Sequence, residues 1–396
     1  MIRSLLDTDF YKITMAQAVW HQWPDTHVRY RFRNRTADVD LRPYRDEIDR
    51  EIHALGDLRL TEDEHAYLRA VPFLQRSFVD GLRRLRLDPS QVKVGEHDGR
   101  LDISIEGDWY ETIWLEVPIL AIVNEVFGRR QPADPNSGIK RLQAKIDFLV
   151  DRCQTSAPDA CDLRIMEFGT RRRYSRAWQE MVVAELARQV PRHIQGTSNV
   201  DLARRLGLRP QGTMAHEWLQ AHQALVPLPH FQREALDRWL REFRGSLGIA
   251  LSDVVGFDAF LRDFDILLAR SFQGARHDSG DPFAWGEKLI AHYRSLGIDP
   301  RTKIAVFSDG LDFPKCFALW ERFREEIQIV FGVGTHLTND VGIRPLQTVI
   351  KLVEVNGFPV AKLSDSPGKG MCEVPEFEAF LRRWFAAPTT ALETAS

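Results

Sequence analysis

Lysine is scarce in this chain of 396 residues, with 10 against 43 arginines. Cysteine is scarcer: only Cys153, Cys161, Cys316 and Cys372 occur. None form a CxxC pair and no histidine sits at zinc-finger spacing from them, so neither a metal knuckle nor a disulfide framework is expected. Long apolar runs are also missing. The longest, Val117 to Val123, is broken by Pro118 and far too short to span a bilayer. The stretch Met1-Ile-Arg-Ser-Leu-Leu-Asp7 leads into acids at Asp7 and Asp9, where a signal peptide needs an apolar segment. No repeat or low-complexity tract is visible. A soluble, cytoplasmic chain is expected.

Excess charge of one sign is lacking too. Fifty-three basic and 56 acidic residues give a net charge of −3, which offers nothing to nucleic acid or an anionic membrane. With 44% hydrophobic and 28% charged residues the composition is ordinary globular usage and excludes wholesale disorder. At about 150 residues per domain, the length predicts two or three domains, or one large barrel with additions. Arginine is the better fork for phosphate and carboxylate groups, but an arginine-favouring genome explains the count as well.

The pattern changes near residue 135. Before it, helical spacing predominates over Thr8–Gln22, Asp38–Ala54, Thr61–Ala70 and Leu74–Leu85. Period-two alternation at His27–Arg33, Asp102–Glu106 and Tyr110–Trp114 predicts half-buried strands, so residues 1–135 read as an α+β portion. In residues 136–396 a unit recurs: a short apolar strand, a polar loop, then a helix. It starts at Leu163–Met166, Arg192–Gln195, Ser271–Arg276, Lys303–Phe307 and Ile327–Phe331. Such alternation implies parallel βα units. Because at least five successive strand ends carry Gly-bearing polar loops, an irregular (β/α) barrel fits better than a doubly wound sheet with one switch point. The expected class is α/β, with part of the C-terminal segment open to returning to the first portion.

Chemistry is concentrated at those strand ends. Gly332-Val-Gly-Thr335 has two glycines and a hydroxyl that suit a phosphate, though a plain turn accounts for a short GxG equally well. Asp278 and Asp309 sit in acidic turns and could meet sugar hydroxyls or hold Mg2+ through water, whereas Asp281 before Pro282 has the position of a helix cap. His216 follows a Gly-Thr turn at a predicted helix start. Gln220 stands where a zinc protease motif needs its second histidine, so that motif fails. Three adjacent side chains, Arg171, Arg172 and Arg173, cannot share one face, so at most two of them enter a site. Arg276 is a further anion fork. Tyr11 lies off the apolar stripe of the first helix.

Eight segments in order resemble the nicotinate phosphoribosyltransferase family: Leu6–Lys12, Glu167–Arg173, Gly196–Asn199, Gly212–His216, Asp278–Asp281, Ser308–Gly310, Gly332–Thr335 and Lys362–Lys369. The resemblance implies a type II phosphoribosyltransferase, with an α/β domain packed on an irregular barrel, as a homodimer with shared active sites. It implies that nicotinate and phosphoribosyl pyrophosphate give nicotinate mononucleotide and pyrophosphate, with ATP hydrolysed alongside, in NAD salvage. ATP and Mg2+ are the implied cofactors, the metal held mainly through substrate phosphates. In this reading His216 is the residue phosphorylated from ATP, and Gly332, Gly334 and Thr335 hold the 5′-phosphate. Asp278 and Asp309 engage ribose hydroxyls or the Mg2+ of pyrophosphate. Arg276 pairs with the nicotinate carboxylate, Tyr11 packs near the ring, Thr213 closes the pocket and Arg171 adds a substrate contact. An Arg fork left unpaired by the amide analogue would disfavour nicotinamide by about 2–5 kcal/mol. Other readings are a type II enzyme acting on nicotinamide or quinolinate, and a silent relative that binds phosphoribosyl pyrophosphate. A metal-dependent barrel lyase is disfavoured because no His/Asp/Glu cluster shows ligand spacing.

Overall fold

The computed structural model describes residues 1–156, 161–366 and 368–386. Pro367 of the Lys362–Lys369 segment and the last ten residues of the second portion lie outside the described residues.

The chain opens with helix α1 (Phe10–Gln22), buried on every side from Phe10 to Val19. Then come β1 (His27–Asn34), β2 (Val92–His97) and β3 (Arg100–Asp108). Alternation decides which way β1 and β3 face: Val28, Tyr30, Phe32, Leu101, Ile103 and Ile105 point into the core. β2 and β3 are joined by Asp98-Gly99, both with positive φ (47° and 68°), the conformation a tight hairpin turn demands.

The second sheet is parallel. It contains β4 (Ile165–Glu167), β5 (Ile194–Thr197), β6 (Ile249–Leu251), β7 (Gly274–His277), β8 (Ile304–Phe307) and β9 (Gln328–Val333), in spatial order β5-β4-β9-β8-β7-β6. β5 and β6 are not paired with each other. Residues 210–213 cross between them: Gln211 N donates to Thr197 O (2.9 Å), and Thr213 Oγ1 donates to Ile249 O (3.1 Å). A side chain at Gly196 would lie 2.1 Å from Arg209 O, so only glycine lets this segment approach β5. The sheet is therefore an irregular barrel whose last gap is bridged by a loop.

The chain then returns to its beginning. β10 (Thr348–Val355) pairs antiparallel with β1, and β11 (Phe358–Pro359) with β10, so the first sheet runs β11-β10-β1-β3-β2. β10 faces both parts: Gln220 of helix His216–Leu225 donates to Leu352 O (3.0 Å), and Asn124 of helix Glu116–Arg129 donates to Thr348 Oγ1 (2.9 Å).

Two expectations are corrected. Tyr110–Trp114 is not a strand; Trp109–Thr112 is a helical turn, because Trp109, Thr112 and Ile113 bury together at helical spacing. Cys153 and Cys161 form a disulfide, with Cα atoms 5.4 Å apart. The last turn of helix Pro135–Ser156 and the approach to β4 meet in space, which spacing rules tuned to CxxC do not register.

Candidate active site

A cleft opens over the C-terminal ends of the barrel strands, with α1, helix Glu116–Arg129 and β10 as its far wall. Tyr11, Glu116, Phe168, Arg171, His216, Arg276, Asp278 and Lys351 all line it. Both portions of the one chain contribute.

His216 is the first residue of helix His216–Leu225, where the unpaired amides of the first turn make the surroundings positive. Its Nε2 lies 2.8 Å from Asp253 Oδ1 and 3.6 Å from Asp278 Oδ2. Burial, with Lys362 nearby, pushes its pKa down to about 4 against the pull of Asp253, so the ring is neutral at pH 7. A neutral ring that donates from Nε2 keeps its lone pair on Nδ1. Asp253 is also buried, which disfavours its charge. Lys362 Nζ at 2.8 Å and His216 outweigh that and hold its carboxyl well below the usual range. Ser279 donates to its Oδ2 (2.6 Å), the same oxygen that Lys362 faces.

Asp278 stands at the end of β7. Burial opposes its ionisation, but Arg276, His216 and Lys362 prevail and lower it to about 2. Ser308 Oγ donates to Asp278 Oδ1 (3.0 Å). Arg276 has no ion pair among the described residues, and its Nε is buried without a partner. It lines both this cleft and an adjoining cavity inside the barrel, where Thr213 also sits. Asp309 lies at the neighbouring turn, ion-paired with Lys369. His277 packs on Trp285 and Phe307, with Nε2 3.2 Å from Gly280 O, and props the Asp278 turn from beneath. Asp281 caps its helix by accepting from Ala284 N (2.8 Å).

The arginine run divides by partner. Arg173 is fully buried and bidentate to Asp7 (2.6 and 2.9 Å), a structural pair. Arg171 enters the cleft, 3.6 Å from both Asp9 and Glu116 and over the Tyr11 ring. Arg172 donates to Thr348 O (3.2 Å) and has no carboxylate partner among the described residues; burial and the like charges of Arg171 and Arg35 push it down to about 10. Gly332 lies near the end of β9, and Gly334 follows it. A side chain at Gly332 would lie 2.4 Å from the Phe168 ring, so this glycine lets Phe168 lie flush on the strand. Gly334 and Thr335 are half-buried at the start of a short helical turn.

Several residues were not found from sequence. Lys351 on β10 lines the cleft with no ion pair among the described residues. Burial pushes it down to about 7; Glu116 opposes this and Lys362 and Arg171 add to it. Lys12 is fully buried between Glu116 (2.7 Å) and Glu217, and Glu217 also accepts from Tyr30 (2.6 Å) and Trp109 (2.7 Å). Sequence showed no metal-ligand spacing, yet ligand atoms of His216, Asp253 and Asp278 lie within 4.8 Å of one another. Asp253 is already committed to Lys362, Ser279 and His216. The set is therefore no dedicated oxygen cage for Mg2+.

Two family models match the chain: the nicotinate phosphoribosyltransferase (NAPRTase) family over residues 163–389, and the NAPRTase N-terminal domain over residues 6–124. A nicotinate phosphoribosyltransferase of Cupriavidus necator is 51% identical over 99% of this chain and 100% of its own length. One from Neisseria meningitidis is 51% identical, covering 98% of each. Among solved structures, nicotinate phosphoribosyltransferase from Vibrio cholerae superposes with a TM-score of 0.94 at 44% identity, covering 99% of this chain and 96% of that one. The enzyme from Porphyromonas gingivalis gives 0.92 at 32% identity, covering 98% and 100%.

Proposed function

The chain belongs to the nicotinate phosphoribosyltransferase family, and from that premise we propose that it joins nicotinate to phosphoribosyl pyrophosphate, releasing pyrophosphate, in NAD salvage. One observation carries the reading: Arg276, with no ion pair among the described residues, two aromatic rings (Tyr11 and Phe168) and the ionised Asp278 converge on one cleft.

The pyridine nitrogen attacks C1 of the ribose while the C1–O bond to pyrophosphate breaks, so the site chiefly positions groups and offsets charge. Arg276 takes the nicotinate carboxylate, and Tyr11 and Phe168 supply apolar contact for the ring. Asp278 serves the ribose hydroxyls and the oxocarbenium-like charge, with Asp309 beside it. Gly332, Gly334 and Thr335 take the 5′-phosphate. Thr213 braces the loop between β5 and β6. The pyrophosphate falls to Arg171, Lys351 and the Arg35–Arg172 pair, of which Lys351, Arg35 and Arg172 have no carboxylate ion pair among the described residues. Mg2+ bound through the substrate phosphates would offset their charge.

ATP enters through His216. Its Nδ1 lone pair attacks the γ-phosphorus, ADP leaves, and water later returns the imidazole and phosphate. Asp253 holds the Nε2 proton throughout. A phosphoryl group at this helix start adds charge beside Asp278 and Lys362, which favours different substrate affinities in the two states. Two copies pairing as a dimer, and a cytoplasmic location, go with this reading; among the described residues no helix is long and apolar enough to cross a membrane.

The test is twofold. Product is measured with nicotinate, nicotinamide and quinolinate as acceptors, and nicotinate is expected to be preferred. Labelling with γ-labelled ATP should give acid-labile phosphate in the wild type and none in His216→Ala. Equal label in the variant removes His216 from the reaction, and absence of pyrophosphate release with all three acceptors leaves a silent binding protein.

A further inference from the structure

Glu167 is a fully buried carboxylate at the last position of β4, and it does not line the cleft. It accepts from Gly169 N, from Gln179 Nε2 (3.2 and 3.1 Å) and from Thr197 Oγ1 (2.5 Å). Each donor belongs to a different element. Gly169 lies in the turn that carries Phe168 and Arg171, Thr197 ends β5 immediately before Ser198, and Gln179 lies in helix Arg176–Gln189. Phe168, Arg171 and Ser198 all line the cleft.

The links continue outward. Gln179 also donates to Thr170 Oγ1 (3.0 Å) and accepts from Arg173 (3.2 Å). Thr197 Oγ1 accepts from Asn199 N (3.0 Å), and Ser198 Oγ donates to Asp9 Oδ1 (2.7 Å). Phe10 N donates to Ser198 O (2.8 Å), so the segment that delivers Tyr11 is tied to the same loop.

We infer that Glu167 is a positioning residue for the acceptor ring: its carboxylate locks the β4 and β5 loops together and so sets the places of Phe168, Arg171 and Ser198. The inference rests on the proposed reaction for what the pocket holds, not for the lock itself. The ionised carboxylate accepts from all three donors; once protonated, one oxygen must also donate, and the hydrogen bonds at that oxygen weaken. The charged groups facing Glu167 are Asp9 at the start of α1, which opposes ionisation, and Arg173, itself tied to Asp7, which favours it. Burial, the largest effect, pushes Glu167 up to about 7.

The experiment compares wild type, Glu167→Gln and the milder Thr197→Val by two readouts. The first is hydrogen exchange at residues 168–171 and 197–199, which needs no substrate. The second is steady-state kinetics from pH 5.5 to 8.5. Both variants should lose exchange protection in these two loops while the rest of the barrel keeps it. Both should raise KM for nicotinate, roughly tenfold for Glu167→Gln, and also raise the KM for phosphoribosyl pyrophosphate because Arg171 shifts with the same turn, while kcat stays within about twofold. Wild-type KM for nicotinate should rise on acidification, and the Glu167→Gln value should lack that component. Unchanged protection in Thr197→Val and Glu167→Gln overturns the lock. Lost protection with wild-type KM for nicotinate overturns its role in the pocket. A wild type that makes no nicotinate mononucleotide, yet shows the exchange pattern, refutes the proposed reaction and leaves the lock standing.

Discussion

His216 Nε2 and Asp253 Oδ1 lie 2.8 Å apart in a buried site where the carboxylate is also held by Lys362. The carboxylate fixes which ring nitrogen carries the proton, and the lysine keeps that carboxylate ionised.

Asp253→Asn should break this arrangement at two points. The amide can turn its NH2 to His216 and select the other tautomer, and buried Lys362 keeps only the more distant Asp278, 4.0 Å away, as counter-charge. Phosphate labelling from ATP should fall by about 100-fold or more, as for other oriented histidines. Breaking a buried ion pair by removing one partner typically costs about 3–5 kcal/mol. Labelling assays and urea unfolding of the same sample separate the two effects. Wild-type labelling in the variant would mean that Asp253 does not orient the ring.

Arg276→Met is expected to raise KM for nicotinate by roughly 30- to 150-fold, the value of a charge-assisted hydrogen bond lost in a desolvated site, or about 2–3 kcal/mol. Activity with nicotinamide, which lacks the carboxylate, should change little. An equal loss with both acceptors would assign Arg276 to another part of the substrate.

The lowered pKa of Lys351 predicts a pH effect with a definite sign. Its ammonium is present below about 7 and lost above it, so affinity for phosphoribosyl pyrophosphate should weaken as pH rises through neutrality. Lys351→Met should bind weakly at all pH values and lack this dependence. For the free protein, stability should rise with pH from about 7 towards the ordinary lysine range, because there the unfolded chain holds a proton that the folded chain has released. Affinity and unfolding measured at pH 6, 7 and 8.5 check both.

Gly332→Ala places a methyl group 2.4–2.5 Å from the Phe168 ring. Overpacking of this kind costs about 1–3 kcal/mol, and here the yielding side chain lines the cleft. Lower stability and a higher KM for nicotinate should appear together. A variant with normal KM would show that Phe168 has room to shift without disturbing the acceptor.

Arg173→Met alone should destabilise the protein by about 3–5 kcal/mol, because Asp7 is left charged and buried. The paired change Asp7→Asn with Arg173→Met should recover much of that loss. Thermal unfolding of Asp7→Asn, Arg173→Met and the double variant tests the pair, and additive losses would show that the two residues act separately.

The barrel strands β4, β8 and β9 were legible as short apolar runs, and the more polar β5 and β7 from the recurring unit of strand, Gly-bearing polar loop and helix. β6 was not: Ile249-Ala-Leu251 is three residues long and carries no period. β2 was passed over because Val92-Lys-Val-Gly-Glu-His97 holds few buried side chains. Tyr110–Trp114 alternates like a strand, but the partners of Trp109 bury it as a helical turn. At the cleft, Asp278, Arg276, His216, Tyr11 and Arg171 were visible from their strand-end or motif positions. Lys351 and Asp253 were not, since a lysine within a strand reads as a solvated face and Asp253 follows the unread β6. The ten lysines turn out to be informative: Lys12, Lys351, Lys362 and Lys369 lie in or beside the cleft, each against buried or half-buried carboxylates or other cations. A compact ammonium fits these places where a planar fork does not.

β1 waits for β10 across more than three hundred residues of chain. During synthesis, β1 can pair with β3 early, but its other edge stays open until almost the whole barrel has left the ribosome. The cleft shares that delay, because Lys351 arrives with β10. A chain truncated before residue 348 would hold every strand of the barrel and no complete active site. It would also expose the unpaired edge of β1 as a place for misassembly, so chaperone demand should concentrate in the last stage of translation.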